Sequence, residues 1–226
     1  MENKYSANTT KSFNIWRRIF QYVACHWVII NIVRCKYNLL KTEGLENIDK
    51  KKKYIVASNH VTGFDPFSIA ARTHLTIAYM AKIQLFETFW SMVLMNWCGA
   101  FVVNREKVDV STIKTALSLK KTNWHLGIFP QGTRELTGEI SHVTKGFATL
   151  AKSTKCGILP IGITGTQEVK RLPFSGKIVV RIGELIPYTD KVEEMVENYQ
   201  RAYSSDSPIK EANVKLVKFG NTKMEE

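Results

Sequence analysis

The chain has too few cysteines, too widely scattered, to be a disulfide scaffold or to be built around a structural metal. Its four, Cys25, Cys35, Cys98 and Cys156, form no CxxC pair and stand at no Cys/His spacing that suits zinc. Three lie in apolar surroundings, the usual place of a small buried residue in a reducing compartment. No stretch rich in Pro, Gly or Ser divides the 226 residues, so one core with an N-terminal extension is expected. The apolar run near the N-terminus is not followed by a small-residue cleavage site, which argues against a signal peptide. Internal repeats and low-complexity blocks are missing too. Acidic residues are scarce: 20 Asp+Glu face 32 Lys+Arg, a formal charge of +12. That balance draws anionic lipid, nucleic acid or an acidic protein, and charge alone does not choose among them.

The placement of apolar residues narrows the choice. From Phe13 to Val33 the residues Trp16, Ile19, Phe20, Val23, Trp27 and Ile30 recur at helical spacing. As a helix, Ile19 to Val33 spans about 22 Å, short of a hydrocarbon core of roughly 30 Å, and it contains Gln21, His26 and Asn31. Arg17, Arg18, Arg34 and Lys36 bracket it. A helix lying in a membrane surface is the sharper reading, and a core-packing helix is the alternative. Leu85 to Cys98 reads as a second helix, apolar nearly all round, that is covered by protein or faces acyl chains. Binders of single-stranded nucleic acid interleave aromatics with basic residues on an exposed face. Here the aromatics gather in the two greasy segments, so no nucleic acid is expected as a partner.

Short apolar runs alternate with helical patterns along the rest of the chain. Tyr54–Ser58, Thr76–Met80, Leu126–Phe129, Gly157–Thr164 and Lys177–Ile182 read as strands, and Gly99–Arg105 as a tight turn into another. Helices are expected from Pro66 to about Arg72, over Ser111–Lys121, from Lys145 to about Ser153, and from Val192 to about Tyr203. This is an α/β pattern with a largely parallel or mixed central sheet flanked by helices. The divisions are 1–37 for the tail and interfacial helix, 38–190 for the α/β domain and 191–226 for a C-terminal helix and basic tail. Pro160 demotes its strand to an edge or an irregular segment. In such sheets functional groups collect beyond the carboxyl ends of the strands. Asn59 and His60, Asn104 and Arg105, and Gln131 to Arg134 all fall there.

The most informative stretch is YIVASNHVTGFDP, residues 54–66. His60 and Asp65 are five residues apart, and Gly63 allows the chain between them to fold back and bring carboxylate to imidazole. An Asp on one ring nitrogen fixes the tautomer and leaves the other nitrogen to accept a proton. A loop histidine beside a helix-capping Asp65 at a first-turn position is the plainer alternative.

Four blocks in order decide between these: NHVTGFD at 59–65, GAFVVNR at 99–105, FPQGTR at 129–134 and ILPIGI at 158–163. Together they resemble the PlsC-type glycerolipid acyltransferases, over roughly residues 38 to 190. The resemblance implies acyl transfer from an acyl carrier protein or coenzyme A thioester to 1-acyl-glycerol-3-phosphate, giving phosphatidic acid at the cytoplasmic face of the membrane. It implies His60 as general base with Asp65 as its orienter, and no cofactor or metal beyond the thioester. Asn59, beside the base, is counted among the substrate-binding residues. Arg105 would bind the acceptor phosphate, Gly132 would admit substrate close to the backbone, and Thr133 and Arg134 would shape the phosphate pocket. Lys145 is a further candidate phosphate ligand. Gln131 stands where the family usually has Glu; an amide still hydrogen-bonds a hydroxyl but carries no charge, which keeps another lyso-lipid acceptor open. The chain has no Gly-x-Ser-x-Gly elbow, so direct attack without an acyl-enzyme is expected. A non-catalytic basic protein riding on an anionic membrane is the competing reading.

Overall fold

The computed structural model describes residues 12–36, 40–103, 110–135, 140, 142–166 and 178–203. Its strands are β1 (Leu40–Glu43), β2 (Tyr54–Ser58), β3 (Ile77–Lys82), β4 (Phe101–Val103), β5 (His125–Ile128), β6 (Gly157–Thr164) and β7 (Ile178–Ile182). Its helices are α1 (Ile15–Lys36), α2 (Asp65–Thr73), α3 (Phe89–Trp97), α4 (Val110–Leu119), α5 (Gly146–Thr154) and α6 (Val192–Arg201). The seven strands form one sheet in the order β1-β7-β6-β2-β5-β3-β4. Every pairing is parallel except β6 with β7, so the sheet is mixed.

The central strand shows why the sequence folds this way. All five residues of β2 are buried, as a strand covered on both faces requires. Ile55 and Ala57 join a core with Leu119, Phe147, Leu150, Met195 and Tyr199, supplied by α4, α5 and α6. Tyr54 and Val56 face the other way, onto Ile69 and Ala71 of α2 and Cys25 of α1. Phe13, just before α1, belongs to the first of these cores together with Tyr203, just after α6. Described parts of the N-terminal and C-terminal segments therefore share a core with the α/β domain.

Two expectations are corrected. Gly157–Thr164 is neither an edge nor irregular: β6 lies inside the sheet between β7 and β2. Pro160 is tolerated because the β7 ladder ends at Ile161–Ile182, while the Pro160 carbonyl, which points to that side, accepts from Gly183 N at 2.9 Å. The missing N–H thus removes no bond to β2. Leu85–Cys98 is also not one helix. A 3₁₀ turn at Ile83–Phe86 comes first, and α3 starts only after Thr88, whose hydroxyl accepts from Ser91 N. Residues 1–11, Asn104, Arg105 and the basic tail beyond 203 lie outside the described residues.

His125, which opens β5, is buried and accepts from Tyr54 N through Nδ1 at 3.3 Å. Burial, with Lys53 nearby, pushes its pKa from 6.5 down to about 4. The unfolded chain takes up a proton there that the folded chain refuses. The stability contributed is therefore full above pH 6.5 and is lost as pH falls toward 4. Between pH 7 and pH 5 the loss is about 2 kcal/mol. His125→Gln keeps an acceptor for Tyr54 N–H and removes the titration. Denaturant midpoints at the two pH values should differ less in this variant than in the wild type; an equal difference contradicts the assignment.

Candidate active site

β2 ends at Ser58, and the chain turns sharply at the carboxyl edge of the sheet before α2 begins. The turn is built on one carboxylate. Asp65 is fully buried, and its Oδ2 accepts from His60 Nδ1 at 2.7 Å, Val61 N at 2.6 Å and Thr62 N at 2.8 Å. Its Oδ1 accepts from the hydroxyls of Thr166 at 2.6 Å and Thr62 at 3.3 Å. The two backbone N–H groups need an acceptor, so the oxygen they share with His60 is a carboxylate oxygen, and the His60 proton sits on Nδ1. Nε2 has no hydrogen-bond partner among the described residues. Asp65 also occupies the first turn of α2, where the helix dipole favours a negative charge. Gly63 adopts no left-handed backbone. The carboxylate closes the turn, and the Arg134 guanidinium passes over Gly63, with Nη2 3.7 Å from where a Cβ would stand.

The loop after β5 is fastened to the same residue. His60 N donates to Gln131 Oε1 at 3.3 Å, and Glu135 N donates to His60 O at 2.8 Å. An amide oxygen fills this acceptor role as a carboxylate would, which explains how Gln131 stands in a position where Glu is usual. Gly132 takes a left-handed turn at φ 71° with open space around it. Asn59 faces into the fold: its amide donates to Ile163 O and accepts from Ile163 N, both at 2.8 Å, tying β2 to β6. Lys145 precedes α5 and pairs with Glu193 of α6 at 3.3 Å. Neither Asn59, Gln131 nor Lys145 lines the cavity next to His60, whereas Gly132, Thr133 and Arg134 do.

That cavity measures about 580 Å³, within the usual range for a ligand site. It borders His60, Arg134 and Lys82 at the carboxyl ends of β2, β5 and β3, and Gln21 at its far end. Gln21 is fixed to the first residue of β3, accepting from Ile77 N at 3.0 Å and donating to Ile77 O at 2.6 Å and to Cys98 O at 2.7 Å. Of β3 the cavity touches Tyr79, Met80, Ala81 and Lys82. Much of the wall between is apolar, including Phe67, Leu85, Met95 and Phe129. The chemistry available is a proton acceptor at the mouth of a long greasy slot, with cations at its rim.

This fold recurs in a protein already known, and the chain has relatives by sequence. The acyltransferase family model matches residues 39–164, more than half of the chain. The chain belongs to the acyltransferase family. It is similar to the 1-acyl-sn-glycerol-3-phosphate acyltransferase of Bacillus subtilis (strain 168), 32% identical over 152 residues covering 67% of this chain and 75% of the relative. A relative of the same description from Streptococcus pneumoniae is 32% identical over 151 residues, covering 66% of this chain and 55% of its own length. The chain thus spans little more than half of that second relative. The crystal structure of the LPA acyltransferase PlsC from Thermotoga maritima shares the fold, with a TM-score of 0.60 at 22% identity, covering 82% of this chain and 76% of that one.

Sequence reasoning passed over two residues of this acyltransferase. Lys82 carries no motif that singles it out, and only the strand order places β3 next to β5 and so brings Lys82 to the cavity. Gln21 looked like a polar interruption in a greasy helix, yet it is buried and joins α1 to β3 and to the end of α3. Two thiols also line the cavity. Burial pushes Cys25 up to about 12 and Cys98 up to about 11, so both stay protonated at neutral pH and neither is a ready thiolate nucleophile.

Proposed function

We propose that the protein transfers a fatty acyl group from an acyl carrier protein or coenzyme A thioester to the sn-2 hydroxyl of 1-acyl-glycerol-3-phosphate, making phosphatidic acid. The observation that carries this reading is the His60–Asp65 pair at the mouth of an apolar cavity rimmed by Arg134 and Lys82. His60 Nε2 takes the proton of the attacking hydroxyl, and Asp65 holds the ring and stabilises the imidazolium that forms. The hydroxyl oxygen attacks the thioester carbonyl, the tetrahedral intermediate collapses, and the thiol leaves with a proton returned from His60. No acyl-enzyme intervenes. Arg134 and Lys82 grip the acceptor phosphate, and Arg105 joins them on the strength of the family resemblance. Gln131 bonds to His60 N rather than lining the cavity, so its departure from Glu does not favour a different acceptor.

The reaction takes place at the cytoplasmic face of a membrane. Trp16, Ile19, Tyr22, Val23 and Trp27 on α1 and Phe89, Trp90, Leu94 and Trp97 on α3 are exposed, and the two helices meet where Phe20 lies against Trp97 with ring centroids 5.4 Å apart. Among the described residues no helix is long and apolar enough to cross a membrane. A wide apolar surface of this kind on non-spanning helices suits the boundary between headgroups and acyl chains, and the +12 charge suits anionic lipid.

The test is an assay of purified protein with lysophosphatidate and paired acyl donors. Phosphatidic acid is the expected product; vesicle binding without turnover on any lysolipid would favour the non-catalytic reading. Within that assay, Lys82→Gln and Arg134→Gln should each raise KM for lysophosphatidate about tenfold or more, the worth of a charge-assisted hydrogen bond. Turnover of a phosphate-free monoacylglycerol should not respond. A KM that stays put in both variants would contradict the rim assignment.

A further inference from the structure

Next to His60 the cavity wall is a stack of rings. Phe129, immediately after β5, lies face to face with the His60 imidazole, with centroids 3.9 Å apart and planes inclined by 15°. Tyr79 of β3 stacks on Phe129 in turn, at 5.5 Å and 10°. All three residues line the cavity. Tyr79 is paired in register with Gly127 of β5, and its ring fills the space where a side chain at Gly127 would go. A Cβ there would stand 2.6 Å from Tyr79 Cδ1 and 2.5 Å from Ile77 Cγ2, closer than real side-chain carbons come. Glycine weakens a strand interior, and Gly127 has no left-handed backbone to require it. What this position demands is room for the ring. The Tyr79 hydroxyl is buried with no hydrogen-bond partner among the described residues, so packing alone places that ring.

We propose that this column, with Tyr79 seated on Gly127 and Phe129 against the imidazole, is the positioning device of the catalytic base and couples His60 to whatever fills the cavity. The inference rests on the acyl-transfer reading and deepens it. The hydrogen bond to Asp65 fixes one nitrogen, a single point about which the imidazole can still tilt. The face of Phe129 fixes its plane. An acyl chain lying along β3 packs on Tyr79 and Phe129 and holds the column rigid, so chain contacts far from the carbonyl are felt at Nε2. Binding energy used this way appears in kcat rather than in KM. Tyr79, Phe129 and Gly127 are therefore positioning residues that act through His60.

The test compares octanoyl and hexadecanoyl thioesters in the full-length protein. Wild type is expected to turn over the longer donor with a kcat about tenfold higher or more. Phe129→Leu should lose that advantage, leaving the two kcat values within about twofold and KM for the acceptor unchanged. Phe129→Tyr, which keeps the ring, should restore it. Gly127→Ala, which displaces Tyr79, should fail in the same chain-dependent way. A wild-type kcat indifferent to chain length, or a folded Phe129→Leu that keeps the advantage, overturns the proposal. A second measurement needs no substrate: in histidine-labelled wild-type protein, with the His60 signals assigned by their loss in His60→Ala, ring current should move the His60 ring protons upfield. Their absence from the upfield region would overturn the column even if acyl transfer itself were established, and their presence would uphold it should Phe129→Leu fail to fold.

Discussion

His60→Ala is expected to lower kcat by about a thousandfold, within the range that a positioned general base contributes. The imidazole lines the cavity and, among the described residues, hydrogen-bonds through Nδ1 to Asp65 alone, so its removal leaves the other donors around that carboxylate in place. Val61 N, Thr62 N and the Thr166 hydroxyl still satisfy Asp65. The fold should therefore survive, and the exposed apolar surface of α1 and α3 proposed to meet the membrane is untouched. The expected pattern is lost turnover with an unchanged melting transition and unchanged vesicle flotation. Turnover retained within a few fold would remove His60 from the chemistry.

Asp65→Asn should show a different pattern, damaging turnover and stability together. The side-chain oxygen of asparagine can still face Nδ1, Val61 N and Thr62 N, with its NH₂ toward the hydroxyls of Thr62 and Thr166. Geometry is thus largely kept while the charge is lost. Without a carboxylate the imidazolium formed on proton transfer has no counter-charge in a buried site. We expect kcat to fall by about a hundredfold or more on that account. The backbone bonds that close the turn also weaken from charged to neutral, which costs about 2 kcal/mol of folding stability. Denaturant unfolding and steady-state kinetics on the same preparation check both halves. A variant as stable and as active as the wild type would mean that the carboxylate only caps α2.

How much of this was legible beforehand follows from what is local in the chain. The His60–Asp65 pair lies within one turn, so spacing and residue type were enough to suggest it, and strand runs such as Tyr54–Ser58 declared themselves by apolar content. Pairings between distant strands did not. β1, four residues with two charges, looks like nothing until β7 lies beside it and Arg181 meets Glu43. Lys82 and Gln21 gain meaning only from the order of strands and from the path of α1 across β3. Asn59 stood in a family block at the catalytic edge, but the sequence cannot show that its amide turns toward Ile163. Lys145 likewise stood at a helix start, and its partner Glu193 comes from 48 residues further on. Pro160 misled because the rule against proline in inner strands assumes that the missing N–H costs a ladder bond, whereas here it faces the side where the β7 ladder ends and only the carbonyl is bonded, to Gly183 N.

The central claim is that His60 activates the acceptor hydroxyl for direct attack on the thioester, with no acyl group resting on the protein. A single-turnover experiment with acyl-labelled thioester tests it most directly, run first without and then with lysophosphatidate. Label should stay on the thioester until the acceptor is added and then pass to lipid, at a rate that collapses in His60→Ala. Label bound covalently to the wild-type protein before the acceptor arrives, or equal transfer by the variant, would contradict the mechanism.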